Sequence, residues 1–209
     1  MQHLVLLGDS IFDNAAYVPA GSALIQQLRE YLPAHWQATL CARDGSVIND
    51  VHAQLDRLPE GATHLVISAG GNDLLSEVGV LGKPVRTVGE GLRLLVEVQV
   101  RFDRDYERML QTIERLSLST VVCTIYHPRF PDPILQREAE AALCLFNDVI
   151  IRRAQQFGLP VIELRAVCTA GEDYATPIEP SVSGGAKIAQ AIASAILHYE
   201  FRSHQTIIM

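Results

Sequence analysis

At 209 residues and 48% hydrophobic content, the chain can bury a sizeable core as one domain, residues 1–209, without disulfides or metals. The formal net charge is −7, and the seventeen Lys and Arg residues are scattered, with no basic stripe to track a phosphate backbone, so nucleic acid is not expected as a partner. No apolar run is long enough to cross a bilayer, and the first residues enter an apolar strand without the pattern of a secretory signal, which gives an expectation of cytoplasmic location without membrane insertion.

Taken in chain order, the first element is the apolar run His3 to Gly8, read as a buried strand. It ends at Gly8-Asp9-Ser10, where a glycine permits a sharp turn and leaves Ser10 at the carboxyl edge of a sheet. Open α/β sheets hold their ligands at that edge. Pro19 to Leu32 reads as the first helix, Gln37 to Ala42 as the second strand and Val47 to Leu58 as the second helix. Arg43-Asp44-Gly45-Ser46 lies between them. His64 to Ala69 is the third strand, followed by Gly70-Gly71-Asn72-Asp73. The segment 71–86, with Gly79, Gly82 and Pro84, is expected to be a loop serving as a rim or lid.

A long helix from about Thr87 to Leu116 follows, with room for a kink, and its polar stretch Arg101 to Arg108 predicts a solvated face with i,i+4 charge pairs. Thr120 to Tyr126 is the fourth strand, leading into His127-Pro128-Arg129. Pro133 to Phe157 is the next helix, with Gly158 as its C-cap, then a fifth strand Leu159 to Leu164 and a last helix Gly185 to Glu200. Strands alternating with helices predict an α/β fold, a three-layer α/β/α sandwich on a five-stranded parallel, flavodoxin-like sheet. The cysteines Cys41, Cys123, Cys144 and Cys168 are widely spaced, without metal-ligand or disulfide patterning, and read as buried free thiols.

Three post-strand loops carry what acyl transfer needs. Ser10 is a nucleophile; Gly45 offers a backbone N–H and Asn72 a side-chain amide to a developing oxyanion. Asp9 and Asp13 read as Asx-type braces of the serine turn, and Asp73 as the cap of the helix after the third strand. The loop after the first strand lacks both the G-x-G-x-x-G fingerprint and the P-loop pattern, which disfavours a nucleotide site, and no cofactor or metal is implied.

Over nearly its whole length the chain resembles the SGNH, or GDSL, hydrolase superfamily of esterases, lipases, thioesterases and carbohydrate deacetylases. Gly8-Asp9-Ser10 is similar to its first block, Gly45 to the glycine of its second, and Gly71-Asn72-Asp73 to its third. The resemblance implies a small-molecule ester substrate, Ser10 as nucleophile, and Ser10 N–H, Gly45 N–H and Asn72 as oxyanion donors. It fails at the fourth block. Aligning Pro180, Gly184 and Ala189 places Glu179 where the family has its catalytic histidine and Thr176 where it has aspartate.

A glutamate is a weaker base than histidine by about two pKa units unless burial raises it. Ile178 and Val182 supply an apolar surround that raises it, whereas an ion pair with Arg43 lowers it. His127 is the rival base, since it follows the fourth strand; His3 and His64 start strands at the opposite edge, His52 and His198 lie in helices, and His204 is in the tail. The readings left open are a short-chain or acetyl esterase with an atypical base, and an impaired relative that binds an acyl or acetylated ligand.

Overall fold

The structure is a computed structural model describing residues 1–201 and 206–209; His204 therefore lies outside the described residues. Its centre is a parallel sheet of β1 (Gln2–Gly8), β2 (Trp36–Leu40), β3 (His64–Ser68), β4 (Ser119–Cys123) and β5 (Val161–Ile162), ordered β2-β1-β3-β4-β5. This is the expected flavodoxin-like order, with the strand order reversing beside β1. Strand periodicity distributes β1 between two cores. Leu4 and Leu6 pack with α1 (Leu24–Tyr31) and α7 (Val182–His198) on one face. Val5 and Leu7 pack with α4 (Val88–Glu114) and α5 (Pro133–Gln156) on the other. Both faces are covered, which is why β1 reads as a continuous apolar run.

Several boundaries differ from expectation. The first helix begins at Leu24 rather than Pro19, and the second shortens to a 3₁₀ turn, Ile48–Asp50, followed by α2 (Val51–Leu55). The segment 71–86 is not a loop: it folds into α3 (Gly71–Glu77) and a 3₁₀ turn, Val78–Gly82. Half-buried Leu74, Leu75 and Leu81 line the cavity described below, with the more exposed Val78, so partial apolar packing offsets the glycine content. α4 is one uninterrupted 27-residue helix capped by Thr87, whose side chain accepts from Glu90 N–H. Its polar stretch is two-sided: Arg101, Arg104 and Arg108 form the expected exposed face, with Asp105 beside Arg104 and Arg108, while Phe102 and Tyr106 are buried on the other side. Asp103 and Glu107 reach across to Arg153 of α5 at 2.7 and 2.6 Å instead of pairing along the helix.

β5 is only two residues long, and its edge is extended by the chain end, where Val161 N–H donates to the Ile207 carbonyl at 2.9 Å. α6 (Leu164–Val167) and the 3₁₀ turn Gly171–Asp173 then lead to α7, which starts at Val182 on an N-cap from Ser181. The four cysteines are free; Cys123 and Cys168 are buried, but Cys41 is half-buried and Cys144 exposed. Among the described residues no helix is long and apolar enough to cross a membrane.

Candidate active site

The turn after β1 depends on glycine. Gly8 has φ +125°, and a Cβ there would overlap the Ser68 carbonyl on β3. Asp9 N–H donates to that same carbonyl at 3.2 Å, and the Asp9 carboxylate accepts from Ile11 N–H at 3.1 Å in the expected Asx turn. Asp13 braces differently, accepting from Asp44 N–H at 3.0 Å and so joining the first loop to the second. Buried Gln54 completes the clamp: its carbonyl accepts from Gly8 N–H at 2.7 Å, and its amide donates to the Gly8 carbonyl at 2.8 Å and to Ser46 Oγ at 3.2 Å. Sequence pattern alone offered no signal for Gln54, beyond its being a polar residue on the apolar side of a helix.

Ser10, thus fixed, donates its hydroxyl to Glu179 Oε1 at 3.0 Å, and both residues are only 5% exposed. A tight loop aims the carboxylate. Thr176 Oγ1 accepts from Glu179 N–H at 3.1 Å, while Ala175 N–H donates to the Glu179 carbonyl at 2.8 Å. Tyr174 and Pro180 form an antiparallel bridge across this loop, and Tyr126 from the end of β4 donates to the Ile178 carbonyl at 2.7 Å. Beneath the loop, buried Asp173 accepts from Thr169 and Ala170 N–H at 3.0 Å and from Lys187 Nζ at 2.9 Å, and these partners hold its carboxyl below the usual range despite burial.

Glu179 has the opposite electrostatics. Burial pushes its carboxyl up to about 7; the Ser10 hydrogen bond opposes this, and the Asp44 charge adds to it. Its second oxygen, Oε2, is buried with no hydrogen-bond partner among the described residues. Asp9 is also pushed up to about 7, mainly by burial, with the Ile11 N–H bond opposing and the charges of Glu179 and Asp73 adding. The two carboxyls therefore flank Ser10 as a coupled pair that resists carrying two charges.

Asn72 lines the same cavity as Ser10 and Glu179. Its amide nitrogen donates to the Ser46 carbonyl at 2.9 Å, which ties the third loop to the second and leaves one N–H free to turn inward. Gly45, with φ +78°, lies on the exposed rim beside Ser46 and outside the cavity wall. Asp73 does not cap its own helix; it accepts from Ile48 N–H at 3.0 Å across to the second loop, and burial raises its carboxyl.

Two expected neighbours are not brought in. Arg43 is exposed and, among the described residues, makes no ion pair with Glu179, so the Ser10 hydrogen bond alone opposes the effect of burial on that carboxyl. His127 is held through its backbone, and its ring Nδ1 is buried with no hydrogen-bond partner among the described residues. Its carbonyl accepts from Tyr174 Oη at 2.9 Å, its Nδ1 lies 3.9 Å from Glu140, and it is not part of the cavity wall.

The cavity has a volume of about 130 Å³. Its polar end is Asp9, Ser10, Ser68, Asn72 and Glu179; apart from Glu77 the remaining wall is mostly apolar, from α3, the 3₁₀ turn after it, α4, the segment 125–130 that follows β4, and α5. A nucleophile with an adjacent carboxylate and an amide donor, opening onto an apolar chamber, can attack a carbonyl and stabilise the anion that forms.

The model of the GDSL-like lipase/acylhydrolase family matches residues 6–185. The chain belongs to this family. Solved structures agree on the fold at low identity. A lipase, Lip_vut3, from a goat rumen metagenome superposes with a TM-score of 0.72 at 20% identity, covering 93% of this chain and 97% of that one. The extracellular lipase of Streptomyces rimosus gives 0.67 at 16% identity, covering 93% and 100%. An acetyl xylan esterase, AlAXEase, gives 0.69 at 15% identity, again covering 93% and 100%. No curated protein matches the sequence. Membership in a GDSL-like family of lipases and acylhydrolases makes the chain a hydrolase acting on ester bonds. Glu179 is the only titratable side chain hydrogen-bonded to Ser10 Oγ among the described residues.

Proposed function

We propose that the chain hydrolyses carboxylic esters of short acyl groups by attack of Ser10, with Glu179 as its base. The 3.0 Å hydrogen bond from Ser10 Oγ to Glu179 Oε1 in a buried setting carries this reading. A general base works best when its pKa approaches the working pH, and a carboxyl near 7 matches the basicity an imidazole would bring. Glu179 takes the Ser10 proton as Oγ bonds to the ester carbonyl carbon. The oxyanion is met by Ser10 N–H, the free N–H of Asn72 and, from the rim, Gly45 N–H. Collapse breaks the bond to the alcohol, which leaves with the proton held by Glu179; water then repeats the sequence on the acyl-serine. Arg43 and His127 have no step in this scheme. The free thiols accord with a cytoplasmic setting.

The test is labelling with a fluorophosphonate, with the adduct mapped by mass spectrometry, alongside hydrolysis of p-nitrophenyl acetate by the wild type and Ser10→Ala. An adduct on Ser10 and a Ser10→Ala rate near background are expected. A wild type that neither labels nor exceeds Ser10→Ala points to the second reading, an impaired relative that binds an acyl ligand, which is favoured by one observation: Thr176 Oγ1 accepts from backbone N–H groups and supplies no acid behind the base.

A further inference from the structure

We propose that the apolar chamber beside Ser10 is an acyl-chain pocket sized for about six carbons, and that Ala139 and Ala142 on α5 set that length. This rests on the ester hydrolase reading above and adds to it the part of the substrate that the enzyme measures.

Apart from Glu77, whose half-exposed carboxylate pairs with Arg101, the chamber is polar at the Ser10 end, so a bound ester must place its carbonyl there and an apolar substituent along the rest. Chemistry decides which substituent that is. The alcohol must collect its proton from Glu179, and water must later reach the acyl-serine from the same side. That side is polar: the Asp44 charge reaches Glu179, and Asp44 is exposed and bonded to Tyr17 Oη at 2.8 Å and, through its N–H, to Asp13. The alcohol and water therefore belong on the side of the loops at 13–17 and 43–46, and the acyl chain in the apolar chamber.

The size follows from the volume. About 130 Å³ is slightly less than the roughly 150 Å³ of a dry engineered cavity that accepts benzene, six carbons. The wall contributed by α5 is Ala139, Ala142, Leu143 and Phe146, at the i, i+3, i+4, i+7 spacing of one helix face. Leu143 and Phe146 are 6% and 4% exposed and belong to the packing between α5 and its neighbours. The alanines are the positions where the face falls short of its neighbours and leaves space, and a larger side chain at either takes up chamber volume from the α5 side.

The experiment compares kcat/KM for p-nitrophenyl esters from acetyl to decanoyl in the wild type and in Ala142→Phe and Ala139→Phe, and binding of hexanamide against acetamide to the wild type and both variants by calorimetry. Each methylene entering the pocket should raise kcat/KM about fourfold, on the order of a hundredfold from acetyl to hexanoyl, with a plateau beyond. Ala142→Phe or Ala139→Phe should lower the ratio of the hexanoyl to the acetyl value by about tenfold or more and abolish the preference for hexanamide. Turnover with a profile that is flat, or that neither alanine variant moves, overturns the pocket and leaves the hydrolase standing. Selective hexanamide binding that either variant removes, in a wild type that turns over no ester, supports the pocket and overturns the hydrolase. An alanine variant that has lost its cooperative urea transition is replaced by Ala142→Leu, held to the same outcomes.

Discussion

At the scale of single residues, the pair Ser10 and Glu179 makes activity depend on pH in a defined direction. Glu179 acts as a base only as carboxylate, and with its carboxyl near 7 the rate constant kcat/KM should rise through neutrality to a plateau in mild base. The limb belongs to Glu179 coupled with Asp9, whose carboxyl also sits near 7. Asp44 offers a handle that leaves both in place. Its charge raises Glu179, so Asp44→Asn should move the limb to lower pH while preserving the plateau, and Glu179→Gln should lower the plateau by about 10² to 10⁴. Ester hydrolysis followed from pH 5 to 9 reads both; an unmoved limb in the first variant, or an unchanged plateau in the second, removes Glu179 from the mechanism.

Between elements, the site is a set of loop-to-loop clamps, and two glycines separate a steric requirement from a conformational one. Gly8 combines φ +125° with backbone of β3 where a Cβ would lie, whereas Gly45 at φ +78° has nothing within 4 Å. Gly45→Ala therefore costs only left-handed strain, about 1 kcal/mol. Gly8→Ala adds a clash with main chain that no side-chain rotation relieves, and should cost roughly 3 kcal/mol or more. Urea titration of the two variants checks the difference; equal losses would mean that β1 and β3 separate easily. The same contrast explains how much was legible in the sequence. Gly8-Asp9-Ser10 and Gly71-Asn72-Asp73 could be read because turn chemistry and strand ends are local, and Glu179 because it is close in sequence to Pro180 and Gly184, which mark the start of the last helix. Gln54 could not be read, since its role is set by Gly8, 46 residues away in sequence. The orientation of His127 likewise depends on Glu140 and Tyr174, and the folding of 71–86 on a cavity that exists only after α4 and α5 have packed.

For the whole molecule, the carboxyls divide into two groups that oppose each other as pH changes. Asp103 held by Arg153, Glu163 by Arg165 and Asp173 by Lys187 have lowered carboxyls. Their contribution is present above the unfolded pKa near 4 and is lost as acid protonates the folded state. Asp9 and Glu179, raised to about 7, work the other way: in the folded protein they prefer the neutral form, so stability is fully present below pH 4 and falls as pH climbs from about 4 to 7. Stability should accordingly peak on the acid side of neutrality, below the pH at which Glu179 becomes an effective base. Function and stability then conflict at one side chain. Glu179→Gln keeps a group able to bond Ser10 Oγ but never ionises, so it should melt higher than the wild type at pH 8, by on the order of 2 kcal/mol or roughly 4–8 °C for a chain of this length, while inactive. At pH 4, where the carboxyl is neutral in the folded state and largely neutral in the unfolded one, the two should melt nearly together. Scanning calorimetry at both values decides it: a gap that persists unchanged at pH 4 assigns the difference to packing, and no gap at pH 8 means that burying the Glu179 carboxylate costs the fold nothing.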